Sequence, residues 1–228
     1  MNITISSREE AKALYQGLVA SYPKLFASGH GVRYITDPKT IHEYELMTGE
    51  RLGVLYQKGS YEVFVVDLVE KDTVIKAQGR LILPNNGVII VPKLGDKFVL
   101  EDQYRPQVCA KHLAFPRGHC DCSNPERDAV REIEEELKGA RLINTQYLGK
   151  TYPETHSDAW YCSVFLGDVE DLAGSDNTIK QDGYEGIENL VLLTANEIDA
   201  FIAEGKIDCG YTLAAWSLYR AYKKAQKD

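Results

Sequence analysis

The chain has no long hydrophobic run. None is longer than runs such as Val88-Ile89-Ile90-Val91, which falls far short of the ~20 apolar residues a helix needs to cross a bilayer. The opening stretch MNITISSREEAK has neither a basic nor an apolar segment, so no secretory leader is visible and the cytoplasm is the expected location. There is no excess of positive charge. Lys and Arg number 26 against 34 Asp and Glu, a net charge of −8. A nucleic-acid polymer is therefore not an expected partner, because its binders carry a basic stripe. Internal repeats and low-complexity segments are absent. The five cysteines are an odd number, which favours free thiols over a disulfide framework.

What is present is the composition of an ordinary folded chain, with 44% hydrophobic and 26% charged residues. A length of 228 residues allows one domain with an N-terminal extension, or two small domains. Residues 7–21 read as an amphipathic helix with an apolar stripe of Ala11, Leu14, Leu18 and Val19. Ser6 or Ser7 can cap it, and Glu9 and Glu10 suit its first turn. Residues 30–60 carry turn signals and little periodicity. Strands are predicted over 61–66, 73–82, 87–92, 97–102, 142–148, 159–166 and 189–193, from β-branched and aromatic enrichment. Leu94-Gly95-Asp96 predicts a hairpin. Helices are predicted over 126–137, 195–203 and 213–225, and residues 167–184 form a polar loop.

The helix over 126–137 carries the chemistry. Ser123 or Asn124 can cap it and Pro125 suits its first position. Ala129, Val130, Ile133 and Leu137 form a stripe to bury. Roughly opposite, Glu132, Glu135 and Glu136 stand at i, i+3 and i+4 and project together. Three carboxylates so placed repel each other, and a hard divalent cation relieves that repulsion. The plain alternative is a solvated face rich in acid.

Arg131-Glu132-Ile133 with Glu135-Glu136, preceded by Gly118, resembles the Nudix box, G-x5-E-x7-R-E-U-x-E-E-x-G-U, with U a bulky aliphatic residue. The match is incomplete. Ser123 stands at the first Glu, Lys138 stands at the late Gly, and Gly118 is one residue too near Arg131. The segment Glu101–Pro106 resembles the Gln-Tyr-Arg-Pro segment of the ADP-ribose pyrophosphatase branch. Phe115-Pro116-Arg117-Gly118 stands where that branch has its Pro-x-Gly turn, and Glu197 to Ala215 resembles its C-terminal ending. Together the matches span about residues 60–225 in the expected order.

The resemblance implies an α/β (α+β) fold, an α/β/α sandwich around a mixed sheet. The N-terminal helix and a β-rich extension would occupy 1–58 and the Nudix domain 59–228. Strands in 59–85 would form the interface of a homodimer, within a contact region of 55–85. It implies Mg²⁺ (or Mn²⁺) held by Glu132, Glu135 and Glu136, with the Gly118 carbonyl. Glu136 and Arg131 would belong to the catalytic set, Arg131 by orienting a box carboxylate. The general base would be Glu185, with Glu188 and Asp182 behind it. Tyr104, Arg105, Arg117 and Glu154 would contact substrate, since guanidinium suits phosphate oxygens. Tyr152, His156 and Trp160 flank a loop that borders the substrate in this branch.

The implied reaction is hydrolysis of a nucleoside diphosphate linked to another moiety, ADP-ribose or a related sugar nucleotide first. The alternative is a Nudix-fold module that binds a nucleotide without turnover. A third reading makes His112, His119, Cys120 and Cys122 a zinc site, although C-x-C is not a common structural zinc spacing.

Overall fold

The computed structural model describes residues 3–58, 62–82, 86–120, 124–137, 140–172, 178–180 and 186–226. The chain divides into two compact units. One comprises residues 1–84 with 154–160, the other residues 85–153 with 161–228. The division thus falls near residue 85, where the sequence reading placed an extension over 1–58, and it groups the strands after residue 61 with the N-terminal segment.

In the first unit, β1 (Ile3–Ile5), β3 (Gly53–Lys58), β4 (Glu62–Lys71) and β2 (Val32–Ile35) form an antiparallel sheet, with β5 (Val74–Ile82) also on β4. Helix α1 (Arg8–Ser21) is closed by a capping box, in which Ser7 accepts from the Glu10 N–H and Glu10 from the Ser7 N–H. It buries Ala11 and Tyr15. Gly53 lets α1 approach β3, since a Cβ there would lie 2.6 Å from the Ala11 carbonyl oxygen. Tyr15, Phe26, Ile35, Ile41, Leu52, Val65, Leu68 and Ile82 build one core. Residues 154–160 run along β5, where the Leu81 N–H donates to the Ser157 carbonyl (2.7 Å).

Residues 30–60 are more ordered than their sequence suggested. They contain β2, helix α2 (Pro38–Thr48) and β3. The buried positions of α2 are Ile41 and Glu45, so a carboxylate stands where periodicity looks for an apolar side chain. The caps of α2 are regular. Asp37 accepts from the Thr40 N–H, Pro38 opens the helix, and Gly49 closes it at φ 78°.

In the second unit the sheet order is β10 (Arg141–Thr151), β11 (Cys162–Glu170), β6 (Gly87–Leu94), β7 (Lys97–Arg105), β13 (Ile187–Thr194) and β12 (Thr178–Lys180). The pair β11–β6 is parallel and the other pairs are antiparallel, so the sheet is mixed. Short strands β8 (Ala110–Ala114) and β9 (Arg117–His119) add to β7 and β6. The hairpin expected at Gly95 joins β6 to β7, with Gly95 at φ 63°. The loop expected over 167–184 is partly strand, because β11 runs on to Glu170 and β12 pairs with β13.

Two helices cover opposite faces of this sheet. Helix α3 (Pro125–Glu136) lays Ala129 and Ile133 against Val88, Ile90, Val99, Phe165 and Leu190. Helix α5 (Gly210–Ala225) lays Trp216 and Tyr219 against Phe98, with ring centroids 5.1 and 5.0 Å away. Phe98 and Val99 are neighbours on one strand and so point to opposite faces. That is the three-layer sandwich expected from the sequence. Helix α4 (Ala195–Ala203) follows β13, capped by Thr194 and Glu197. No described helix is long and apolar enough to cross a membrane.

Candidate active site

The site is built where α3, β7, β9 and the start of α5 meet in the second unit. Asn124 caps α3 by accepting from the Glu126 and Arg127 N–H groups, and Pro125 takes the first helical position. With Ala129 and Ile133 fully buried, the helix is fixed in rotation and its acids have set directions. Glu132 and Glu136 are buried, at 8% and 7% exposure, while Glu135 remains exposed. Arg131 ties the acids together. Its Nη2 donates to Glu132 Oε1 (2.7 Å) and to the His119 carbonyl (2.9 Å), and its Nη1 donates to Glu135 Oε2 (2.9 Å). Strand β9 presses its backbone onto this face. A Cβ on Gly118 would overlap the Glu132 carboxylate, so only glycine leaves that carboxylate its place.

Strand β7 supplies the opposite wall. Its alternate residues Glu101, Gln103 and Arg105 share one face, and Glu101 and Gln103 are each 1% exposed. Three polar residues in a row on a strand inside a sheet are unusual. Burial lowers the proton affinity of Arg105 below its ordinary value, and the nearby charge of Arg117 lowers it further. Glu101, Glu136 and Cys209 oppose that shift. Guanidinium and carboxylate groups are thus interleaved around Arg105.

Arg117 leans on the first turn of α5. Its guanidinium lies 4.1 Å from the centroid of the Tyr211 ring, and its Nη1 lies 3.7 Å from Cys209 Sγ. Next to it, the Phe115 N–H donates to the buried Thr212 hydroxyl (3.0 Å) and locks α5 to this turn.

A solved structure of an ADP compounds hydrolase is similar to this chain over 88% of its length and 98% of the other's, with a TM-score of 0.66 and 15% sequence identity. The chain has the Nudix fold. No family model matches its sequence, and no curated protein matches it.

Within the Nudix fold, the box acids sit on α3 and Gly118 sits against them. The donor set is oxygen only, which suits a hard cation. Glu132, Glu136 and the Gly118 backbone fit such an ion. Glu135 fits less well, being exposed and bonded to Arg131. Among the described residues, no three His, Cys, Asp or Glu side chains gather closely enough to hold a metal. The same holds for the zinc reading. His112 Nδ1 lies 2.6 Å from Asp208 Oδ1, Cys120 is buried in the core, and His119 is exposed. Cys122, Ser123, Asp121, Asp182 and Glu185 lie outside the described residues. Cys109, Cys120, Cys162 and Cys209 are free thiols.

The other sequence candidates are dispersed. Glu188 pairs with Lys111 (2.5 Å) at the end of β13. Tyr104 is 40% exposed, and its carbonyl oxygen would lie 2.7 Å from a Cβ on Gly186. Glu154 belongs to the first unit, where its carboxylate accepts from the His156 N–H (2.5 Å). Trp160 belongs to the same unit and precedes β11 rather than opening it. Tyr152 is exposed and packs edge-on to Tyr161, with ring centroids 5.8 Å apart. Sequence reasoning missed Glu101, Gln103, Cys209, Tyr211 and Thr212 as contributors. The polar alternation Glu101-x-Gln103-x-Arg105 after Phe98-Val99-Leu100 was the available signal for the first two.

Proposed function

We propose that the chain hydrolyses the diphosphate linkage of a nucleoside diphosphate joined to a second moiety, with ADP-ribose or a related sugar nucleotide as the substrate. The observation that carries this reading is that Arg105 lies within electrostatic range of both Arg117 and the buried Glu136. Two guanidinium groups within range of each other's charge repel and favour an anionic ligand between them. Buried carboxylates alone would repel that ligand, and a divalent cation reconciles the two.

Glu132 and Glu136 would hold Mg²⁺ or Mn²⁺, with the Gly118 carbonyl. When bound, the ion would neutralise diphosphate charge and activate water. The chain's own residues do the rest. Arg131 orients Glu132 through its 2.7 Å bond. Arg105 and Arg117 align the diphosphate, and the buried surroundings strengthen those contacts. The base is a carboxylate of the segment 182–188, with Glu185 first. A homodimer formed through residues 59–85 is the proposed assembly, and the exposed Phe64, Val74 and Ile75 are apolar surface it would cover.

One observation favours a second reading. Glu135 is bonded to Arg131 rather than turned toward Glu132 and Glu136, which suits a module that binds nucleotide without turnover. Phosphate release from ADP-ribose, sugar nucleotides and dinucleotides, measured with Mg²⁺ or Mn²⁺ and a coupling phosphatase, separates the two. Metal-dependent turnover that vanishes in Glu136→Gln establishes the hydrolase. Calorimetric binding of a nucleotide without turnover establishes the module.

A further inference from the structure

We propose that Tyr211 is a positioning residue that holds Arg117 beside Arg105 and thereby makes the site prefer two adjacent phosphates to one. The proposal rests on the nucleotide reading above. It starts from what Arg117 would do unaided. An arginine side chain has many rotamers to lose, and the charge of Arg105 acts against holding this one near it. The contacts that hold Arg117 come from the start of α5, far along the chain: the ring of Tyr211 at 4.1 Å and the thiol of the N-cap residue Cys209 at 3.7 Å.

The manner of holding matters. A guanidinium stacked on a ring uses its flat face and keeps the N–H groups at its edge for oxygen ligands. An ion pair would fix the side chain equally well but would consume those donors and cancel the charge. Tyr211 therefore fixes direction and, apart from the Nη1 contact to Cys209 Sγ, leaves the guanidinium's donors for a ligand. Its own support is firm, because Thr212 is fully buried and bonded to the Phe115 N–H, and Trp216 and Tyr219 anchor the same helix on Phe98. The acceptor of that N–H bond and the stacking ring are consecutive residues, so α5 is joined to the chain both at Phe115 and at Arg117. A single phosphate is satisfied by Arg105. The second guanidinium, held in place at a repulsive cost, gains only when a second phosphoryl group is present.

The test compares ADP with AMP, two probes that share a nucleoside and differ by one phosphate. Affinities are measured by calorimetry with Mg²⁺ for the full chain, Tyr211→Leu, Tyr211→Phe, Arg117→Met and the double variant Arg117→Met/Tyr211→Leu. The expected result is a preference for ADP over AMP that falls about five- to tenfold in Tyr211→Leu and is retained in Tyr211→Phe. In the Arg117→Met background the leucine should change the ratio no further, which a merely structural role would not produce. An unchanged ratio in Tyr211→Leu overturns the proposal. So does equal loss in the leucine and phenylalanine variants, and in both cases wild-type ADP binding leaves the nucleotide reading standing. Wild-type protein that binds neither probe overturns the functional reading and this proposal with it.

Discussion

Arg80 in the first unit and Arg105 in the second are both arginines on strands drawn into the protein, and they are treated in opposite ways. Arg80 is surrounded by partners. Its Nε donates to Asp67 Oδ2 (2.6 Å), its Nη1 to the Leu25 carbonyl (2.8 Å), and its guanidinium lies 4.8 and 4.9 Å from the rings of Phe26 and Tyr34. Tyr15 completes the group by donating to Asp67 Oδ1 (2.9 Å). Arg105 instead lies within range of a second arginine's charge, with the carboxylates of Glu101 and Glu136 opposing it. One arrangement uses its charge and its hydrogen bonds to organise a core. The other keeps donors and charge in reserve for a ligand. The same residue type thus marks structure or function according to whether its charge is answered within the fold.

The sharpest way to break this comparison is to remove Arg80. Arg80→Met leaves Asp67 and the Tyr15 hydroxyl buried with a charge unanswered, and should destabilise the chain by about 3–5 kcal/mol. Urea unfolding measures it, and a loss below ~1 kcal/mol would remove the structural half of the contrast. Burial raises the Asp67 pKa above its ordinary value even against Arg80 and Tyr15, which both lower it. Because that folded value lies above the unfolded one, Asp67's contribution is complete at low pH and is lost as pH rises through the folded value. At neutral pH the burial of ionised Asp67 is therefore a cost, which Arg80 and Tyr15 offset only in part. The triple variant Tyr15→Phe/Asp67→Leu/Arg80→Met should accordingly recover most of the lost stability.

Arg105→Met should do the reverse. Removing a desolvated cation from beside Arg117 relieves repulsion, so stability should hold or rise slightly. Binding of ADP should fall by about 10- to 100-fold, the range for one charged hydrogen bond of ~1.5–3 kcal/mol. A variant that unfolds easily while binding ADP normally would show that Arg105 is structural after all.

How much of this was legible in sequence differs between the two regions. Helix α3 announces itself, because Asn124, Pro125 and the stripe of Ala129 and Ile133 agree with one another and with the acids opposite. Helix α2 does not, because its inward face carries Glu45 in place of an apolar residue. The box acids were visible as spacing along one helix. Tyr211 and Cys209 were not, since their relation to Arg117 exists only through the packing of α5 beside β9. The division into units was also hidden, because residues 154–160 return to β5 from a distant part of the chain.

Gly118→Ala sharpens the contrast at the scale of one methyl group. The new Cβ would strike the Glu132 carboxylate, the far end of a flexible side chain rather than backbone. The carboxylate can swing away, so stability should change by less than ~1 kcal/mol. Its bond to Arg131 and its place beside Glu136 would be lost in doing so. If the chain is a hydrolase, turnover should fall roughly tenfold or more, since misplaced groups cost rate steeply. Equal losses of stability and rate would mean that the glycine serves packing alone.

The smallest effect concerns Glu45, a carboxylate answered within the fold as Arg80 is. Its Oε2 lies 2.8 Å from Lys12 Nζ, and its Oε1 accepts from the Leu52 N–H (3.1 Å). Burial pushes its pKa up, but those two partners outweigh burial and hold it below its ordinary 4.5. A folded value below the unfolded one means stability present above the unfolded pKa and lost as pH falls through the folded value. Stability should therefore decline below about pH 4.5. Glu45→Gln keeps an acceptor for Leu52 and removes the charge, so it should cost about 1 kcal/mol at neutral pH and less at about pH 3. Helix-capping Glu10, Asp37 and Glu197 also have lowered pKa values, so total acid sensitivity does not isolate Glu45. The difference between wild-type and variant curves does, because the caps are common to both. A difference that narrows toward low pH supports a charge satisfied by the fold, whereas parallel curves would reduce Glu45 to a neutral hydrogen-bond acceptor.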